Sequence, residues 1–416
     1  MSSPSTSGLS SKSLPHPLAL PLCNAAMMSL AITINLVPVF LTTLSRDLGG
    51  PSGLSGEQLG RFGASTFAGL VVGILVTGPL ADRFGAKPFA LLGNAFIGAG
   101  LLLLSSSQNY ALALVAVAIM GLGAGVLDMV LSPIVCALQP ERRAIAMNWL
   151  HSFYCVGASV TVVIATWALD AGVRWRVIAL WLTLLPALVC VGFFAVRIPP
   201  LVSEEHERTP LRTLVRQRYF QAALAAIFLG GATELGMAQW LPAYAETTLG
   251  TSKWTGGMAL LAFSIAMALG RMAAGALGTR IRPVTLMIHC CWTSVILFVL
   301  ACFLPWTVPA LVACVLLGMT GSPLWPTMLG VAGDRFPHGG ASMFGLLAAL
   351  GNLGGIFMPW IVGITADHSN LRWGIVTAAA CPFIMALLLL WMSGAGGASA
   401  EGSGDRGQGS EVGAGK

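Results

Sequence analysis

Gly78-Pro79-Leu80-Ala81-Asp82-Arg83-Phe84-Gly85-Ala86-Lys87 sets one carboxylate, one arginine and one lysine between two long apolar runs. A helix rises about 1.5 Å per residue, so a run of about twenty residues crosses the roughly 30 Å of hydrocarbon in a bilayer. The charged stretch therefore reads as a tight turn at a membrane surface. A degenerate second copy, Gly275-Ala276-Leu277-Gly278-Thr279-Arg280-Ile281-Arg282, has Thr279 where the first has its acid. Gly275 follows Gly78, Leu277 follows Leu80 and Arg280 follows Arg83 at one constant offset, 197 residues. That offset also links Gly318 to Gly121, Leu324 to Leu127, Pro337 to Pro140, Leu347 to Leu150 and Gly354 to Gly157. A register held over so much chain means two parallel repeats, an arrangement that puts a site near the bilayer midplane between them and works by alternating access.

Composition agrees. Apolar side chains make up 56% of the 416 residues, charged ones 9%, and the mean hydropathy is +0.81. Such a chain belongs in lipid. Its 50 glycines and 23 prolines would disrupt a soluble helical protein, whereas membrane helices use small residues for close approach and satisfy proline-freed backbone from neighbours. The formal charge of +6 forms no basic, aromatic-flanked stripe, which excludes nucleic acid as a partner. Nine cysteines fall almost entirely in apolar segments, without C-x-x-C pairs or ligand-spaced histidines, and read as buried small hydrophobes. Neither a metal nor a cofactor is expected.

Apolar spans predict helices at 19–44, 58–81, 88–107, 110–138, 145–169, 175–196, 219–245, 254–278, 283–304, 306–333, 340–366 and 371–392. The fold class is an all-α membrane protein of twelve transmembrane helices in two pseudo-symmetric six-helix bundles. The predicted domains are a cytoplasmic tail (1–18), a first bundle (19–196), a polar linker (197–218), a second bundle (219–392) and a Gly/Ser-rich disordered tail (393–416). With both termini cytoplasmic, fifteen Lys and Arg lie inside against six outside, with Arg271 left within a span. The positive-inside rule then predicts a multi-pass protein of the inner (plasma) membrane in that orientation, expected to work as a monomer.

The decapeptide at 78–87 resembles the loop between the second and third helices of the major facilitator superfamily. There Gly78, Asp82, Arg83, Gly85 and Lys87 would form a conformational gate, their pairing latching one half to the other in one state. Gly125-Val126-Leu127-Asp128, Pro133, Gln139-Pro140-Glu141 and the stretch Asn148 to Ala158 are similar to the fourth and fifth helices of the fucose/proton symporter branch. The resemblance implies a cavity carboxylate at Asp128 and substrate-facing polar groups at His151 and Tyr154. The branch also carries an acid on its first helix, where this chain offers Asn35 as the nearest polar substitute.

A carboxylate near mid-bilayer costs several kcal/mol unless it meets water, a partner or a proton. Asp128 lies twelve residues before Pro140 and His151 eleven after it, which puts them at similar depth on consecutive antiparallel helices. The pair reads either as a proton switch or as an interhelical hydrogen bond. Glu234, within Gly230-Gly231-Ala232-Thr233-Glu234-Leu235-Gly236, reads as a proton-coupling or substrate-binding acid on a locally irregular helix, or as a packing residue against the eleventh helix. Gln239, Trp240 and Tyr244 offer hydrogen bonds and flat surface, although Trp240 and Tyr244 equally suit an interfacial belt. Trp325 stands opposite Asp128 at the 197 offset, so charge in one repeat faces an indole in the other, as a sugar site would want. Asn35 and Asn352 are candidate hydroxyl partners or interhelical glue. Arg271 either snorkels or pairs with an acid across the bundle, and His289 reads as structural.

The chain shows no clustered metal ligands, nucleophile with its base, or Walker A loop, so it reads as a transporter rather than an enzyme or an ATPase. The expected function is secondary transport of a small polar solute, a sugar by preference, with protons as a candidate co-substrate. Drug/proton efflux and organic-acid transport within the same superfamily are the alternatives.

Overall fold

The computed structural model describes residues 17–139, 143–198, 210–278, 280–336 and 338–404. The N-terminal tail before residue 17, the turn at Pro140 and Glu141, linker residues 199–209 and the last twelve residues, 405–416, lie outside the described residues, as do the side chains of Asp82 and Asn148.

Among the described residues, twelve apolar helices long enough to span a bilayer follow one another. They are α1 (Ala19–Leu48), α2 (Gly56–Phe84), α3 (Ala86–Ser106), α4 (Tyr110–Leu138), α5 (Arg143–Asp170), α6 (Trp175–Leu182 and Leu184–Ala195), α7 (Arg218–Ala238 and Leu241–Thr247), α8 (Lys253–Leu277), α9 (Pro283–Phe303), α10 (Thr307–Gly321 and Leu324–Arg335), α11 (Gly340–His368) and α12 (Leu371–Thr377 and Ala380–Gly404). Each interrupted helix carries a proline three or four residues past its break: Pro186, Pro242, Pro326 and Pro382. Proline has no N–H and its ring crowds the carbonyl four residues back, so the helix opens there. The disordered tail expected from residue 393 is instead helical to Gly404. The preceding span supplies the nucleus, and extending a formed helix through Ala, Ser and Gly costs only their modest propensities.

The 197 offset recurs in the contacts. Gly121 of α4 rests on the Thr66 carbonyl of α2, and Gly318 of α10 rests on the Phe263 carbonyl of α8. Gly73 meets the Leu122 carbonyl, and Gly270 meets that of Met319. At all four glycines a Cβ would collide with backbone, so the residue type sets the interhelical distance. Large apolar side chains on α6, α9 and α12, among them Leu184, Phe194, Ile296, Val299, Ile384 and Leu390, face outward, as lipid-facing helices require.

The helix ends form two faces. One carries the start of α1, the end of α12 and the decapeptide turn; the other carries the polar helix caps at Ser55, Asn109, Ser252 and Asn370. At the capped face the halves are sealed. Gly56 and Gly60 of α2 pack on the backbone of Gly363 and Pro359 of α11, and Gly257 of α8 packs on Thr166 of α5. The Asp367 carboxylate, at the end of α11, accepts from the Gly56 and Glu57 amides at 2.5 and 2.7 Å, an anion on the free N–H groups of α2. Thr42 on α1 donates to Glu246 at 2.7 Å, and Lys253 on α8 donates to Thr42 at 2.8 Å and to Thr43 at 3.0 Å.

At the terminal face the halves part. One buried cluster joins the first six helices to the capped-face portion of the last six, whereas the terminal-face portion of the last six, including Phe220, Met287, Met328, Met343 and Met385, forms a separate cluster. A cleft between the halves at that end divides the apolar core, and the molecule is caught open there.

Asp367→Asn weakens the acceptor on the α2 amides by about 1 kcal/mol, a several-fold shift in a two-state population. Pulsed EPR between labels at the capped-face ends of α2 and α11 should show a new long-distance population. An unchanged distribution would show that this carboxylate does not hold the face shut.

Candidate functional site

At the closed end of the cleft lies a narrow chamber lined by Asn35, Pro38, Tyr154, Cys155, Glu234, Gln239, Phe263, Ser264 and Met267, among others. Its walls come from α1 and α5 on one side and α7 and α8 on the other.

Prolines prepare the polar groups of this chamber. Pro38 leaves the Ile34 carbonyl without its helical partner, and Gln239 Nε2 of α7 donates to that oxygen at 3.5 Å. Pro326 does the same to the Ser322 carbonyl, and Arg271 Nε of α8 donates to it at 3.3 Å. The Arg271 guanidinium also reaches Glu234 of α7, with Nη2 at 3.2 Å from Oε2 and 3.4 Å from Oε1. Across the chamber Asn35 Nδ2 donates to the Ala31 carbonyl at 2.9 Å and to the Tyr154 hydroxyl at 3.4 Å. Arg271 lies within electrostatic reach of Tyr154, Cys155 and His151.

The ion pair is lopsided: the Glu234 side chain is 9% exposed and the Arg271 side chain 38%. Inside a membrane an ion pair that is both paired and water-accessible avoids the full desolvation cost. The carboxylate is the member that lines the chamber, while the more accessible guanidinium, outside the lining residues, turns the positive side of the pair to water. This arrangement suits an anion, which a guanidinium binds with two parallel N–H donors.

Of the residues singled out from sequence, Asn35, Tyr154, Glu234 and Gln239 meet at the chamber wall. Asp128 is half-buried and makes no hydrogen bond or ion pair among the described residues, and His151 is exposed, so the expected Asp128–His151 contact is not formed in this state. Their equal count from Pro140 sets depth and not facing, and His151 answers electrostatically to Arg271 instead. Trp240 does not line the chamber. It is buried, and its Nε1 donates to the Pro359 carbonyl at 3.0 Å, tying α7 to α11. Tyr244 is likewise a strut, its hydroxyl donating to the Ala301 carbonyl at 2.9 Å. Trp325 is also off the chamber wall, its ring against Gly351 and its Nε1 buried without a partner. Asn352 is buried and donates to Ala348 of its own helix at 3.0 Å. The irregularity expected around Glu234 lies one turn on, at Gln239 and Trp240, and its cause is Pro242; the glycines beside Glu234 serve packing, Gly231 against the Gly351 backbone.

In the turn at 78–87, Gly85 ends α2 at φ 81°, a left-handed conformation that glycine adopts without strain. Gly78 packs on Met129, Arg83 stacks over Phe84, and Lys87 donates to the Phe194 carbonyl at 3.1 Å. All of these partners belong to the first six helices, as they must when the terminal face is open.

The sequence profile described as Major Facilitator Superfamily matches residues 22–339 and 248–410. A probable nitrate/nitrite transporter, NarK2, from Mycobacterium tuberculosis is 25% identical over 352 residues, covering 80% of this chain and 85% of that protein. A cis,cis-muconate transport protein from Acinetobacter baylyi is 24% identical over 364 residues, covering 80% and 85%. Among solved structures, the E. coli fucose:proton symporter FucP superposes with a TM-score of 0.62 at 18% identity, covering 90% of this chain and 98% of that one. The nucleoside transporter NupG superposes with a TM-score of 0.74 at 12% identity, covering 90% and 99%.

If Glu234 and Arg271 support each other, Glu234→Gln and Arg271→Gln should each lower the melting temperature by a few degrees, because each leaves a charge without its partner. The double variant should recover part of the loss. Strictly additive losses in a thermal-melt comparison would show that the two are not coupled.

Proposed function

The chain belongs to the Major Facilitator Superfamily, and from that premise we propose that it carries a small organic or inorganic anion, of the carboxylate or oxyanion class, across the membrane by alternating access. The observation that carries this reading is the lopsided pair: an accessible guanidinium beside the chamber, bound to a far less exposed carboxylate on its wall. A solute anion can engage the free edge of Arg271 while Asn35, Tyr154 and Gln239 supply donors and acceptors around it. Two relatives are named for anions, nitrate or nitrite and cis,cis-muconate, which supports the same class.

Transport of this kind is passive unless coupled, and Glu234 and Asp128 are the groups assigned to carry a proton. Glu234 competes with a bound anion for Arg271, and taking up a proton ends that competition. Asp128, unpaired in the open state, is the second candidate. The terminal face is taken as cytoplasmic, on the distribution of Lys and Arg, so the described state is open to the cell interior. Here Gly78, Asp82, Arg83, Gly85 and Lys87 would close the cleft when the halves rock back.

A sugar or polyol is the second reading, favoured by the Asn35–Tyr154 bond and by Gln239 at the wall. It loses ground because Trp240 and Trp325, the flat surfaces on which a sugar ring would stack, lie off the chamber.

Proteoliposome counterflow separates the two. Labelled nitrate or cis,cis-muconate should exchange in the wild type and fall at least about tenfold in Arg271→Gln, since a charge-assisted contact of about 1.5–3 kcal/mol is lost. Labelled L-fucose should not exchange. Fucose exchange that survives Arg271→Gln would replace the anion reading with the sugar reading. Under an imposed pH gradient, Asp128→Asn should lose accumulation while keeping exchange; intact accumulation would remove Asp128 from proton coupling.

A further inference from the structure

The two repeats match across α2 with α4 and α8 with α10 until one point. In the first repeat Ile74 and Gly125 meet at the crossing, and Gly125 packs directly on the Leu70 carbonyl. In the second, the residues 197 further on are Arg271 and Ser322. Ser322 Oγ donates to the Met267 carbonyl at 2.9 Å, where Met267 is the counterpart of Leu70. So an apolar crossing in one half has become a polar one in the other.

The change depends on α10 being broken. Pro323 leaves the Met319 carbonyl without a helical donor, and Pro326 leaves that of Ser322. Two consecutive residues of α8 cover these two oxygens: the Gly270 backbone closes on Met319, and Arg271 Nε bonds Ser322 at 3.3 Å. In α4 the residue matching Pro326 is Met129, and α4 runs unbroken from Tyr110 to Leu138. Of the two matched helices, α10 and not α4 therefore presents a free carbonyl at this crossing among the described residues.

We infer that Pro326 is a positioning residue for the transported anion: by freeing the Ser322 carbonyl it gives Arg271 a second anchor, which fixes the guanidinium plane and leaves its remaining edge accessible. A guanidinium held by Glu234 alone pivots about that one contact. Held at both Nη2 and Nε, it has a single orientation, and a planar anion meets two donors already aligned. Pro326 acts through the Ser322 carbonyl and Arg271 rather than on the solute itself. The inference rests on the anion reading for its consequence and on geometry alone for its first step.

The test uses full-length protein in detergent and in proteoliposomes. Pro326→Ala restores an N–H that competes for the Ser322 carbonyl; Pro326→Gly restores the same N–H in a looser helix, in case the alanine variant does not fold. Pro382→Ala, which mends a break in α12, is the control. Phenylglyoxal labelling of Arg271, followed on its own peptide by mass spectrometry, should quicken several-fold in either Pro326 variant and stay at the wild-type rate in Pro382→Ala. The half-saturating concentration of nitrate or cis,cis-muconate should rise about tenfold with little change in maximal rate, the loss of one charge-assisted hydrogen bond. Labelling at the wild-type rate in both Pro326 variants would overturn the inference. If neither anion is transported by the wild type, the anion reading fails, and the labelling arm still decides whether Pro326 anchors Arg271.

Discussion

A guanidinium cannot be left in hydrocarbon, and Arg271 sits within a span of an otherwise apolar bundle. Its three supports come from three helices: α8 carries it, α7 offers Glu234, and the broken α10 offers the Ser322 carbonyl. Taken away from water entirely, this cluster would be a costly buried ion pair. Open to a water-filled cleft it becomes affordable, and it draws anions. The chamber and the charge thus require each other, and the paired halves exist to provide the chamber.

Opening and closing follow from how the halves meet. At the capped face they touch through glycines on bare backbone, a seam with little side-chain bulk to rearrange, bolted by the Asp367 carboxylate on the end of α2 and by the Thr42, Glu246 and Lys253 cluster. The polar bolts are few, and each can exchange for water when the halves rock. At the terminal face the apolar core is divided, and Lys87 of the charged turn donates to a carbonyl of its own half. Rigid bundles that rock about a central site are what a parallel-repeat carrier needs.

Much of the fold was legible in the chain because hydrophobic length and a constant offset are one-dimensional quantities. The twelve spans came from the first, and the second reappears atom by atom where Gly121 and Gly318 rest on matching carbonyls. The site was legible only in part. Asn35, Tyr154, Glu234 and Gln239 converge as polar residues in apolar spans should, but Trp240, Tyr244 and Trp325 turn into packing. Depth can be counted along a helix, whereas facing depends on tilt and on breaks such as those set by Pro242 and Pro326. Arg271 carries a signal in the repeat register. Subtracting the offset pairs it with Ile74, and Ser322 with Gly125, so a charge and a hydroxyl replace an aliphatic side chain and a glycine at one crossing. Departures from the repeat, more than its matches, mark the chemistry.

The central claim is that Arg271 lends positive potential to a chamber reachable from the terminal face. Cys155, a chamber-lining thiol within electrostatic reach of Arg271, reports on both parts at once. Its modification by a sulfonate-bearing and by a trimethylammonium-bearing methanethiosulfonate, each followed on the Cys155 peptide and normalised to reaction with a free thiol, is the direct measurement. The account predicts that the anionic reagent reacts faster and that Arg271→Gln abolishes the preference. A thiol as inert as buried Cys314, or a preference for the cationic reagent, would contradict it.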